Sequence, residues 1–161
     1  SAYSSTANAT TQNGLQAFRT TYNLAADGSQ DSLTPAGDGV QNLLKYAFNM
    51  LGSGTGQAED IDLPNAYVLA PAGTAGLPLA HVDGTGKLQL TFIRRKAAST
   101  PAPGITYTVE FTDDVGVSDP WAVNPSATES ATSLDATFER VTVTDSAAAP
   151  ARRFARVRIA P

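Results

Sequence analysis

Hydrophobic and polar positions along the chain follow two different periods, and the change falls near residue 63. Upstream of it, apolar residues recur at the three- and four-residue intervals of an amphipathic helix. Downstream, apolar and polar residues alternate, as they do in a strand that buries one face. The pattern predicts a polar linker over residues 1–13, a helical prefix over 14–62 and a sheet-forming region over 63–161.

Two amphipathic helices are predicted in the prefix. Leu15, Phe18 and Tyr22 lie at helical spacing within residues 14–24. A broader apolar stripe follows at positions Val40, Leu43, Leu44, Ala47, Phe48 and Leu51. Because about fifty residues are too few to bury a core of their own, we expect this stripe to pack on the sheet-forming region.

The start of the second helix has two candidate caps. Asp38 can accept hydrogen bonds from the first turn, and Gln41 completes a capping box with it. Alternatively, Thr34 caps an earlier turn in which Pro35 occupies the first helical position. Either assignment makes the helix begin with a capped turn.

Strands are predicted wherever apolar and polar positions alternate: residues 66–70, 77–82, 86–96, 104–114, 136–145 and 152–160. Such alternation implies sheets that are covered on one side only. It places Phe92 on the inward face of its strand, and Thr91 and Glu110 on the outward faces of theirs. Roughly five to seven strands without intervening helices indicate a mainly β fold. We expect an antiparallel β-sandwich of Ig-like or fibronectin-like proportions, with the helical prefix docked on it.

Composition and charge exclude several classes of protein. The 161 residues suit one domain, and no cysteine is present for a disulfide framework or a thiolate metal site. No apolar run reaches the length needed to span a bilayer, so membrane insertion is not expected. The net charge of -4 argues against nucleic acid as a partner.

Basic residues nevertheless form two clusters in the sequence: Arg94, Arg95 and Lys96, and then Arg152, Arg153, Arg156 and Arg158. Brought together, they would form the contiguous basic stripe that binding to a polyanion requires. The alternative is that they line the solvated faces of two strands.

A calcium loop is the first candidate metal site, because residues 34–46 (TPAGDGVQNLLKY) combine glycines and an acid before a helix. In an EF-hand type of loop with Gly39 at its invariant glycine, Thr34, Ala36 and Lys45 fall at positions that normally supply oxygen ligands. An ammonium at the last position would repel a cation. This register therefore predicts no calcium site.

An irregular metal site is the second candidate. Asp27, Asp31 and Asp38 supply three carboxylates within one loop region, and calcium is the cation that such oxygen ligands would favour. The alternative is that Asp38 only caps the helix and that the chain carries no cofactor.

Trp121 is the sole tryptophan and a candidate ligand-binding residue. Exposed, it could stack on a sugar ring, with Tyr67 and Tyr107 extending an aromatic platform. Buried, it would close one end of the sandwich core, as large aromatic side chains often do. Both interpretations stay open at the level of the sequence.

Catalytic motifs are missing from the sequence. His81 is the sole histidine, and neither a GxSxG elbow nor an HExxH helix accompanies it. Asp113 and Asp114 are paired carboxylates, but they precede Gly116 at a strand end, where a turn is the expected role. We therefore expect no enzymatic activity.

Several segments resemble a family of bacterial modules. GDGVQNLLKYAFNMLG resembles the "DPDGDGxSNLLEYAxGxDP" signature near the C terminus of many large secreted proteins, especially in the Verrucomicrobia. That signature in turn resembles dockerin and thrombospondin type 3 calcium repeats. Downstream, YTVEFTDDVGVSDPW and RRFARVRI are similar to strand motifs of the same modules, so the resemblance covers roughly residues 18–159. It implies a non-catalytic sandwich module, and Thr34, Ala36 and Lys45 depart from its acidic loop.

These observations predict an accessory module of a secreted or cell-surface bacterial protein. Its role would be structural, anchoring or interaction, and its partners would be the other domains of the parent protein. The alternative is a carbohydrate-binding module that directs a parent enzyme to polysaccharide. Any export signal is expected to lie outside these 161 residues.

Overall fold

A computed structural model describes residues 11–52, 56–148 and 152–161. The described part contains α1 (Gly14–Thr21), α2 (Asn42–Ala47), β1 (Leu79–Val82), β2 (Lys87–Arg95), β3 (Thr106–Thr112), β4 (Thr128–Ser133), β5 (Phe138–Ala148) and β6 (Phe154–Ala160). Paired strands are antiparallel throughout. The predicted mainly β class with antiparallel sheets is therefore confirmed. Of the predicted linker, residues 1–10 lie outside the described part.

The strands form two sheets that share one hydrophobic cluster. Four strands pair in the order β1–β2–β5–β4, and β3 pairs with β6. In the central pair, Leu90 lies opposite Val143 and Phe92 lies opposite Val141. These four side chains and Phe111 of β3 are buried in the same cluster. Apolar residues of both sheets are thus removed from water together, which is the main favourable term in folding.

Strand β2 is covered on both faces. Its predicted inward residue Phe92 lies in the main cluster. A second buried cluster lies on the opposite face and is formed by Leu69, Ile93 and Phe138. Thr91 is also buried on that face, and its hydroxyl lies 3.0 Å from the hydroxyl of Thr142. The predicted outward position of Thr91 is therefore wrong, because the segment before β1 covers this side of the sheet.

Helix α1 is capped and tied to the sheets. Asn13 accepts a hydrogen bond from the N–H of Gln16, whose side chain accepts one from the N–H of Asn13, which completes a capping box. The N–H of Gly14, which has no partner inside the helix, donates to the carbonyl of Ala102 at 2.6 Å. Phe18 is buried in the main cluster. The connection between β2 and β3 thus holds the N terminus of α1.

Helix α2 is shorter than the predicted helix. It spans Asn42–Ala47, and its N-cap Gln41 makes no side-chain capping bond. Neither candidate cap acts as predicted. Asp38 accepts a hydrogen bond from the N–H of Val40, in a turn that precedes the helix, and the carbonyl of Thr34 closes a separate turn. The first two N–H groups of α2, those of Asn42 and Leu43, instead donate to the backbone carbonyls of Leu33 and Asp31, both at 3.0 Å.

The apolar stripe of α2 is nevertheless buried. Leu43 and Phe48 lie in the main cluster, and Phe48 contacts the rings of Phe92 and Tyr107, with both centroid distances at 6.4 Å. The helix ends where Asn49 adopts a left-handed φ of 55°, a conformation that Asn tolerates better than most residues. Packing on the sheets, rather than helix length, therefore stabilises this segment.

One predicted strand does not form, and one observed strand was not predicted. Residues 66–70 form only an isolated bridge, between Val68 and Leu77. Strand β4, Thr128–Ser133, is not indicated by the sequence pattern, because its residues are small, mostly polar and exposed. Backbone pairing with β5 defines β4, and such pairing does not require alternating apolar and polar residues in the sequence.

Candidate functional site

The structure does not bring the three predicted metal ligands, Asp27, Asp31 and Asp38, together. Asp27 accepts a hydrogen bond from the N–H of Ser29. Asp31 binds the guanidinium of Arg19 through both carboxylate oxygens, at 3.0 and 2.5 Å. Asp38 pairs with a different side chain. Across residues 11–52, 56–148 and 152–161, no group of three His, Cys, Asp or Glu side chains is placed to hold a metal ion. The calcium hypothesis stays a prediction without a ligand set.

Lys45 is the partner of Asp38, and its ammonium is completely buried. The side chain of Lys45 is 0% exposed and that of Asp38 is 3% exposed, and Nζ lies 2.8 Å from Oδ2. The same ammonium donates to the carbonyl oxygens of Ile61 and Leu63, both at 3.1 Å. Three oxygens thus satisfy the three donors of one ammonium.

The carboxylate of Asp38 is equally well satisfied. Besides the ammonium, it accepts hydrogen bonds from the N–H groups of Val40 at 2.9 Å and Asn65 at 2.8 Å. Burial alone would raise the pKa of Asp38, but the hydrogen bonds from Lys45 and these two N–H groups outweigh it and lower the pKa. The carboxylate of Asp38 is therefore ionised at neutral pH.

One carboxylate and two backbone carbonyls are the kinds of oxygen that bind a hard cation such as calcium. Here the ammonium of Lys45 occupies the centre of such a set. The interpretation of Lys45 as only a repulsive residue is therefore incomplete. Lys45 supplies the positive charge that the loop requires. The signal in the sequence was a lysine at the last position of a loop that retains Asp38 and Gly39.

Trp121 lies at the surface beside β6, partly buried. The guanidinium carbon of Arg156 lies 4.4 Å from the centre of the indole ring, which is cation–π distance. The backbone at Gly116 packs so closely that an added Cβ would lie 2.8 Å from Trp121 Cδ1. Trp121 is not among the residues of either buried cluster. One face of the ring is thus occupied by Arg156.

The predicted aromatic platform does not include Tyr107. Its ring stacks on Phe92 at a centroid distance of 6.1 Å, and its hydroxyl donates to the carbonyl of Ala47 at 2.8 Å. The same hydroxyl accepts a hydrogen bond from the N–H of Arg95. Burial raises the pKa of Tyr107 well above its usual value. Tyr107 therefore joins α2 to β2 in the interior.

The loop before Trp121 is held by one carboxylate. Asp114 accepts hydrogen bonds from the side chain of Ser118 and from the backbone N–H groups of Gly116, Val117, Ser118 and Asp119. These bonds, the Ser118 hydroxyl foremost, hold the pKa of Asp114 far below its usual range. The loop keeps Val115 at a left-handed φ of 64° and leaves Val117 88% exposed.

The two basic clusters do not form a free basic stripe within the described residues. Arg94 pairs with Glu129 and Glu139. Arg153 likewise pairs with Asp113 and Asp145. Their charges are therefore largely compensated inside the molecule.

Glu110 compensates two further arginines. It is buried, and its carboxylate binds Arg156 at 2.8 Å and Arg158 at 3.1 Å. Burial would raise the pKa of Glu110, but the two guanidinium groups outweigh it and lower the pKa. Glu110 lies on the face of β3 opposite Phe111, as the alternation predicts, but it is buried because Arg156 lies directly opposite on β6 and covers it.

The remaining candidates show no assembled chemistry. His81 is exposed on β1. Among the described residues, neither helix has the length and apolar content that crossing a bilayer requires. Comparison of the chain with models of protein families, with curated proteins and with solved structures found no match. A proposal about function therefore rests on the contacts that the described residues make.

Proposed function

We propose that the chain is a non-catalytic accessory module of a secreted or cell-surface bacterial protein, with a structural, anchoring or interaction role. The observation that supports this most is the buried Lys45–Asp38 pair, with its two carbonyl acceptors. It closes the loop before α2 with an internal cation. A module that other domains depend on for position benefits from a fold that does not vary with calcium concentration.

The proposed architecture is an Ig-like sandwich over residues 63–161, with residues 14–62 docked on it as a helical prefix. Two contacts support docking. The hydroxyl of Tyr46 donates to the carbonyl of Pro103 at 2.7 Å. The guanidinium of Arg95 donates to the carbonyl of Tyr46 at 3.0 Å. Prefix and strands would then unfold as one unit, as an autonomous module requires.

A deletion in the parent protein tests the accessory role. Full-length protein is compared with a variant that lacks residues 14–161, and both are assayed for turnover of soluble substrate and for retention at the cell surface. We expect unchanged turnover and reduced retention. Lost turnover with unchanged retention would contradict the proposal. The module alone should unfold in one cooperative transition.

Carbohydrate binding is the second candidate function, and the rigid loop beside Trp121 favours it. A partly exposed indole and the neighbouring exposed Val117 form an apolar surface that a sugar ring could contact. Affinity electrophoresis through polysaccharide gels provides the test. Retardation should be lost in Trp121→Ala and kept in Trp121→Phe, because Phe retains a ring. Equal mobility of all three proteins in each gel would rule this surface out.

A further inference from the structure

A groove of about 340 Å³ lies where α1, the end of α2 and the connection after β2 meet. Its size is at the lower end of the range for small-molecule sites. Aromatic side chains, hydroxyl groups and one guanidinium line it, among them Phe18, Tyr22, Tyr46, Arg95, Thr100 and Thr137. The groove therefore combines apolar ring faces with polar donors.

Arg95 is held rigidly in this groove. Its guanidinium carbon lies 3.8 Å from the ring centre of Tyr46 and 4.5 Å from that of Phe138. Its Nε donates to the carbonyl of Tyr46. The plane of the guanidinium is thus fixed by two rings and one hydrogen bond, with its orientation set before any ligand arrives.

The two terminal nitrogens of Arg95 have no acceptor among the described residues. Asp135 influences the guanidinium through its charge, but it forms no ion pair with it. By contrast, Arg94, the preceding residue, binds two carboxylates, and Arg140 donates to the carbonyls of Gly73 and Ala70. Arg95 thus differs from its neighbours in keeping a free pair of donors inside a groove.

A partly buried cation without an anion is costly, because burial removes the water that solvated it. Burial accordingly lowers the pKa of Arg95. Two parallel N–H donors on a fixed plane match the two oxygens of a carboxylate. An anion of this shape would compensate the charge and use both donors.

The groove also offers hydrogen-bonding groups beyond the guanidinium. Thr100 and Thr137 line it, and the hydroxyl of neither has a hydrogen-bond partner among the described residues. Hydroxyl groups placed beside aromatic rings suit a ligand that has both ring faces and hydroxyls of its own. A sugar ring has both, whereas a fatty acid has neither.

We propose that this groove binds a uronic acid, a sugar whose ring carries a carboxylate. The carboxylate binds the terminal nitrogens of Arg95, and the ring hydroxyls bind Thr100 and Thr137. This site is separate from the Trp121 surface and goes beyond the accessory role. Its failure would leave that role intact, since the role rests on the Lys45–Asp38 pair.

The test is a titration of the isotopically labelled protein, followed by amide NMR shifts, with glucuronate, acetate, glucose and sulfate as probes. Glucuronate should shift the amides of Thr21, Thr100 and Thr137 saturably. Acetate should bind about tenfold more weakly, because it lacks the ring and its hydroxyls. Glucose should not bind. The absence of saturable glucuronate shifts, or equal affinity for glucuronate and either acetate or sulfate, would overturn the proposal.

Variants locate the site. Arg95→Lys keeps the charge but loses the paired donors, so glucuronate should bind about tenfold more weakly. Arg140→Lys is the matched control, because its guanidinium is already bound by backbone carbonyls, and affinity should not change. Thr137→Val removes one hydroxyl at little structural cost and carries the test if Arg95→Lys does not fold. Unchanged affinity in Thr137→Val would contradict the assigned hydroxyl contact.

Discussion

Replacing Lys45 by Met removes the internal cation while it keeps most of the side-chain volume. The carboxylate of Asp38 would then be buried without its counter-ion, and the carbonyls of Ile61 and Leu63 would lose their donor. Breaking a buried ion pair by removing one partner costs about 3–5 kcal/mol. We expect a loss in that range, which corresponds to a fall in Tm of roughly 6–20 °C for a chain of this length.

Urea unfolding at two pH values separates lost charge compensation from lost packing. In the native protein the pKa of Asp38 is lowered, so its contribution to stability is present above its unfolded pKa of about 3.9 and is lost only as the pH falls below that value. In Lys45→Met, burial without the ammonium should raise this pKa. Protonation of Asp38 then relieves the cost as the pH falls. The difference in unfolding free energy should therefore be smaller at about pH 5 than at about pH 7.5.

Lys87→Met is the matched control, because the ammonium of Lys87 has no hydrogen bond or ion pair among the described residues. Its effect should stay within about 0.5 kcal/mol. A cost below about 1 kcal/mol for Lys45→Met would refute the reasoning, since so small a loss belongs to an exposed pair. A large cost that does not change with pH would also refute it, because that result describes packing rather than charge.

Four further outcomes are expected. Phe48→Ala, which removes a ring from the main cluster, should cost about 3–5 kcal/mol in urea unfolding, and a cost below about 1 kcal/mol would show that α2 is not packed on the sheets. Val115→Asn should raise stability by about 1 kcal/mol because it relieves a left-handed valine, whereas Val117→Asn on the same loop should leave Tm unchanged. Glu110→Gln should cost about 1–3 kcal/mol of unfolding free energy at neutral pH. The cost should be smaller below about pH 4, because the pKa of Glu110 is lowered in the folded protein and its stabilising contribution is lost as the pH falls. An equal cost at both pH values would argue against an ionised Glu110. Calcium in place of chelator should leave the Tm of the native protein unchanged, whereas a bound ion at a hundred times its Kd would add about 2.7 kcal/mol.

The sequence pattern predicts elements well where one face is buried against one partner. Leu15 and Phe18 of α1, and Leu90 and Phe92 of β2, all lie in the main cluster as their spacing indicates. These predictions succeed because period and burial are properties of the local sequence. The pattern fails for β4, whose residues are exposed and whose place in the sheet is set by backbone pairing with β5.

Polar residues are predicted less well, because their positions depend on partners that are distant in the sequence. Alternation along β3 places Glu110 outward, and it cannot reveal that β6 lies alongside with arginines at matching positions. The alternating arginines Arg156 and Arg158 were a usable signal. An acid in one alternating strand and two arginines on one face of another favour a cross-strand ion pair.

The Lys45–Asp38 pair is also hard to predict residue by residue, but its loop can be interpreted as a whole. Measured against a calcium loop, Thr34 and Ala36 lack carboxylates and Lys45 brings a positive charge. Taken one at a time, these residues indicate only the loss of a metal site. Taken together, these residues balance the charge of the loop, because one ammonium needs one carboxylate whereas a divalent ion needs several. Such a loop keeps its aspartate and glycine and has a lysine at the last position, and it is thus better interpreted as a loop that carries its own cation. The buried ammonium of Lys45 among three oxygens is the geometry that this interpretation requires.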